Sequence, residues 1–132
     1  MSNDTVPGQN GPATLYLPQL TTIVQMLTNW TKTRPNPPKL IFGLTSGMIC
    51  NVAEDGCVVT LNNGAKQIME QYSIPTVDLH EAVVNQCGPA PQASCFNQTG
   101  CFCPHCAPIG YEFLASVISP VIRNTLMNTE NN

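Results

Sequence analysis

Lys39-Leu40-Ile41-Phe42-Gly43-Leu44 is the stretch on which the reading of the fold turns. It is short and almost continuously apolar, the mark of a strand buried on both faces in a parallel sheet. Arg34-Pro35-Asn36-Pro37-Pro38 stands before it and ends any preceding helix. That helix is read from Leu17 onward, because Leu20, Ile23, Val24 and Leu27 fall at i, i+3, i+4 and i+7. Pro18 suits its first turn. On the other side, a loop closed by Cys50 and Cys57 leads to a second helical stripe, Leu61, Ala65, Ile68, Met69 and Tyr72. Ile74-Pro75-Thr76-Val77-Asp78-Leu79 reads as another short strand with Pro75 at its start, and His80 to Val84 as a helical turn. A long cysteine-bearing loop runs from Gln86 to Pro108. Leu114, Val117, Ile118, Val121 and Ile122 then predict a last helix, bent or interrupted near Pro120.

Helix, strand, helix, strand, loop, helix is the order of an α/β domain built on a parallel sheet. Two strands are few, since doubly wound sheets have about five. The expectation is therefore the C-terminal part of a larger fold, incomplete at its N-terminus. Residues 1–14 are expected to be flexible, 15–127 to form the partial domain, and 128–132 to be a disordered tail.

Composition narrows the function. The chain has 132 residues, a net charge of −3 and only five Lys and Arg, so it offers no basic face for nucleic acid. No apolar run approaches the roughly 18 residues of a membrane span. Met1-Ser2-Asn3-Asp4-Thr5 is polar and is not a signal peptide. Seven cysteines, and acceptor sequences for glycans at Asn3, Asn29 and Asn97, nevertheless suit an extracellular or secretory lineage. Cys50 with Cys57 is the pairing best placed to close a loop. Cys87 with Cys95, and Cys101 with Cys106 or Cys103, are further pairings, and an odd count leaves one thiol over.

The densest chemistry is Cys101-Phe102-Cys103-Pro104-His105-Cys106, followed by Pro108-Ile109-Gly110-Tyr111 and an apolar helix. A histidine on a loop just before a helix is one way to present a general base. Cys103-Pro104-His105-Cys106 could instead be a redox pair. That mechanism needs a thiolate at a helix N-terminus directly after a strand, whereas here a loop precedes it and Pro108 and Gly110 intervene. Zinc would need its ligands less crowded than Cys101, Cys103, His105 and Cys106 are. The plain reading is structural disulfides, with no metal and no cofactor. Asp78 and Glu81 around His80 read as a solvated helix start with Asp78 as its cap. Ser46 ends a strand where α/β sheets hold ligands, but Thr45-Ser46-Gly47 is only a fragment of a nucleophile elbow.

Taken in order, several segments resemble the SGNH, or GDSL-type, hydrolases. Leu17-Pro18-Gln19-Leu20 through Leu27 is similar to the family's helix before a late strand. Lys39 through Thr45 resembles its strand ending in Thr. Leu61-Asn62-Asn63-Gly64-Ala65 with Ile68-Met69 resembles its "N-x-x-A…M" helix, and Pro75 through His80 its next strand and exit. His105, Gly110-Tyr111 and Leu114-Ala115 resemble its closing "H…GY…LA" block. The resemblance implies a flavodoxin-like, three-layer parallel sheet. It also implies ester hydrolysis through a seryl acyl-enzyme, with His105 as general base and a lipid ester or acetylated carbohydrate as substrate.

Two departures count against activity. Phe102 stands where the family has the Asp that orients the base, and the Gly-Asp-Ser nucleophile block is absent. Asn3-Asp4 is similar to the family's Gly-x-Asn-Asp block, with Met1 in place of the Gly, which would make Asn3 an oxyanion donor. The chain as it stands is expected to be inactive. The competing readings are a non-catalytic, secreted, disulfide-stapled binding domain and a Cys-Pro-His-Cys thiol–disulfide oxidoreductase. A sheet edge left unpaired would favour homo-association.

Overall fold

The structure is a computed structural model that describes residues 13–47, 52–88, 95–97 and 108–127. Helix α1 spans Ala13–Lys32, so Pro18 lies more than a turn inside it. Its buried residues are Leu20, Val24 and Thr31. Ile23 and Leu27, expected on the buried face, are exposed, because α1 is covered on one side by α2 (Val52–Gln71). The helix closes through Thr33 N–H to the Trp30 carbonyl and Arg34 N–H to that of Thr31. Pro35, Pro37 and Pro38 supply no further donors.

Helix α2 starts well before the expected stripe and takes Cys57 into its buried face. Val58, Asn62, Ala65 and Met69 follow at helical spacing and are all buried. Gly64 lets α1 come close, since a Cβ there would lie 2.6 Å from Leu17 Cδ1. Leu20, Val24, Leu44, Ala65, Ile68 and Met69 form the core, with Tyr16, Leu17, Phe42, Tyr72 and Ile74 packed around it. The end of α2 is a Schellman turn. Ile74 N–H bonds the Met69 carbonyl and Ser73 N–H that of Glu70, with Ser73 at φ 54°.

Strands β1 (Phe42–Gly43) and β2 (Thr76–Val77) pair in parallel, Phe42 opposite Thr76 and Gly43 opposite Val77. Phe42 N–H donates to the Pro75 carbonyl and Leu44 N–H to the Val77 carbonyl, each at 2.9 Å. This corrects the expected fold class. Among the described residues the sheet has two strands of two residues each and helices predominate, so this is not a flavodoxin-like three-layer parallel sheet. The physical reason lies in the opening run itself. Leu44 is buried, but Leu40, Ile41 and Phe42 are only half-buried, so the run is not covered on both faces.

Helix α3 (Leu79–Cys87) starts at Asp78, whose carboxylate accepts the Glu81 N–H at 2.9 Å. It ends at Gly88, at φ 84°. Helix α4 (Pro108–Met127) runs through Pro120 without a break and packs against α3 and β2. The sulfurs of Cys87 and Cys95 lie at disulfide distance, with their Cα atoms 5.6 Å apart, at the end of α3 and in a short 3-10 turn. Phe96 in that turn meets Phe113 of α4, ring centroids 5.1 Å apart.

Candidate acid–base site

Parallel strands leave a sheet on the same side, so the exits of β1 and β2 are neighbours. After β1 the chain continues through Leu44, Thr45, Ser46 and Gly47. Thr45 is clamped by the buried Asn62, whose Oδ1 accepts its N–H at 3.0 Å and whose Nδ2 donates to its carbonyl at 2.7 Å. The amide thus does for Thr45 what a further strand would do, pairing both of its backbone groups. After β2 come Asp78, Leu79 and His80.

Asp55, in the first turn of α2, and His80, in the first turn of α3, meet at this end. His80 Nε2 lies 3.1 Å from each carboxylate oxygen of Asp55, and the two side chains are 17% and 15% exposed. Gly47 makes room for the pair: a Cβ there would lie 3.0 Å from Asp55 Oδ1 and 3.1 Å from His80 Cδ2. The other ring nitrogen, Nδ1, has no hydrogen-bond partner among the described residues. The imidazole thus presents one nitrogen to the carboxylate and the other away from it, the arrangement of an Asp–His dyad with the nitrogens exchanged.

Asp78 takes no part in this pair. It caps α3 and lies 3.9 Å from Lys66 Nζ. Ser46, half-buried, stands one residue before Gly47 on the same exit. Asp55 was not among the sequence candidates. Its signal was topological: two parallel strands, each followed by a helix, bring the two first turns together.

The remaining candidates are distributed as follows. His105, Asn3, Cys50, Cys101, Cys103 and Cys106 lie outside the described residues. Cys57 is buried in α2. Asn29 is exposed on α1, and Asn97 ends the 3-10 turn. Among the described residues no three His, Cys, Asp or Glu side chains cluster as metal ligands. No described helix is long and apolar enough to cross a membrane. Comparison of the chain with protein families, curated proteins and solved structures found no match.

Proposed function

We propose that this chain serves ester hydrolysis of the serine acyl-enzyme kind, with His105 as general base. What supports this reading is the group of side chains at the strand exits: the Asp55–His80 pair, with Ser46 on the chain leaving β1. The first turns of α4, which follow His105 in sequence, lie by the end of α3, where Phe113 meets Phe96.

A base needs a nucleophile, and the sequence holds no Gly-Asp-Ser block, so turnover by these residues alone is expected to be weak or nil. The substrate class would be a lipid ester or an acetylated carbohydrate, needing no cofactor. The reading also has an oxidising compartment, disulfides at Cys50–Cys57 and at Cys87–Cys95, another from Cys101 to Cys106 or Cys103, and glycans at Asn3, Asn29 and Asn97. Self-association would run through the outer edge of β1. The absent nucleophile block favours a second reading, a non-catalytic disulfide-stapled binding domain on the same frame.

Hydrolysis of p-nitrophenyl acetate and butyrate by the chain, His105→Ala and His80→Ala separates these. Loss of activity in His105→Ala alone supports the proposed base. Loss in His80→Ala alone moves the role to the Asp55 pair. Inactivity of all three leaves the binding domain.

A further inference from the structure

The amino ends of the strands hold a second feature, on the side away from the acid–base pair. A cavity of about 350 Å³ opens between the end of α1, the end of α2, the strand entrances and the last turns of α4. That volume lies at the lower end of the roughly 300–1,000 Å³ typical of small-ligand sites. Thr28, Thr31, Ser73 and Thr125, four hydroxyl-bearing residues, stand in its lining with Tyr72 and Lys39.

Thr28 marks the cavity as unfinished. Thr21, Thr22 and Thr31 of α1 donate their hydroxyls to helix carbonyls at 2.9, 3.0 and 2.8 Å. The Thr28 hydroxyl does not: Oγ1 is shut off from solvent and has no hydrogen-bond partner among the described residues. A buried hydroxyl without a partner is disfavoured. Thr28 lines the cavity, so a turn about χ1 on ligand binding would bring this hydroxyl to it. Lys39 is exposed and has no acidic partner among the described residues, leaving its charge for an incoming anion.

We propose that this cavity binds a monosaccharide bearing a carboxylate, its hydroxyls meeting those of Thr28, Thr31, Ser73 and Thr125, its ring lying by Tyr72, and its carboxylate paired with Lys39. The site is independent of the ester-hydrolase reading and lies at the other end of the strands. A purely apolar ligand would leave Thr28 unpaired, and a neutral sugar would leave Lys39 unused.

The test is titration of the full chain with sodium glucuronate, glucose and butyrate, followed by saturation-transfer NMR and calorimetry. Glucuronate is expected to bind saturably and about tenfold more tightly than glucose, with butyrate weakest. Lys39→Met should bring glucuronate down to the level of glucose. Thr28→Val keeps the volume and removes the hydroxyl. It should raise the melting temperature of the free protein while weakening glucuronate about tenfold. Thr28→Ser should restore binding. Absence of saturable glucuronate binding, or affinity unchanged in Thr28→Val, overturns the proposal.

Discussion

Asn62 shows how much one side chain can decide. It stands in a buried helix position where an apolar residue would be usual, and both ends of its amide are spent on Thr45. Asn62→Ala leaves the Thr45 N–H and carbonyl without partners and opens a small void. Unfolding by urea should show a loss of about 1–3 kcal/mol, since each hydrogen bond contributes roughly 1 kcal/mol net and the void adds to it. An unchanged midpoint would mean that Thr45 finds water instead. Tyr16 gives a second residue-scale expectation. Burial pushes its phenol above the ordinary value of 10.0, because the ionised form loses solvation. The unfolded chain therefore releases this proton at lower pH than the folded one, so the stability it carries is present below pH 10 and is lost above it. Tyr16→Phe should flatten the fall in melting temperature with pH in that alkaline range. A fall as steep as in the parent protein would contradict it. Of the two, only Asn62 was visible in the sequence, as a member of a family-like helix.

At the scale of elements, the helices were legible and their limits were not. The periodicity of apolar residues within 17–27, 61–72 and 114–122 reflects real helices, because only a helix brings residues at 3.6-residue spacing onto one face. The start of α2 was hidden. Asp55 and Gly56 beside Cys57 look like loop chemistry, yet Cys57 and Val58 are buried and carry the helix back to Val52. Tertiary burial outweighed local propensity there. The Schellman turn after α2 is a place where propensity still has something to gain. Ser73 holds a left-handed conformation that only glycine adopts freely. Ser73→Gly should stabilise the protein by about 1 kcal/mol in urea or thermal unfolding, the lower part of the usual left-handed penalty. A destabilised variant would show that the serine hydroxyl contributes more than its backbone costs.

For the whole molecule, the sequence pattern misled on architecture for a definable reason. An apolar run such as Lys39 to Leu44 reports that its residues avoid water, not how many strands lie beside it. Here a strand pair two residues long and flanking helices supply the cover, and the cover is partial. One result is an apolar stripe on the outer face of α1, where Ile23, Met26, Leu27 and Trp30 are 53%, 67%, 44% and 46% exposed. Arg34 stacks on Trp30, its guanidinium carbon 4.5 Å from the ring centroid, and shields one end. Together with the outer edge of β1, this stripe predicts self-association at high concentration. Sedimentation velocity over a wide concentration range should show growing mass for the chain and less for an Ile23→Glu, Met26→Lys variant. A monomer throughout would refute it.

The pairing of Phe42 with Thr76 has a consequence in time as well as in space. The partners lie 34 positions apart in sequence, with the whole of α2 between them. Helical turns form within microseconds, but a contact of this separation must wait for chain closure. The strand pair should therefore lock late during folding and open early during fluctuations, ahead of the α1–α2 core. Since Asp55 and His80 meet only when that pair is closed, the acid–base site would be the last feature to mature and the first to dissolve. Amide exchange at Phe42 and Leu44 would then report how often the site exists at all.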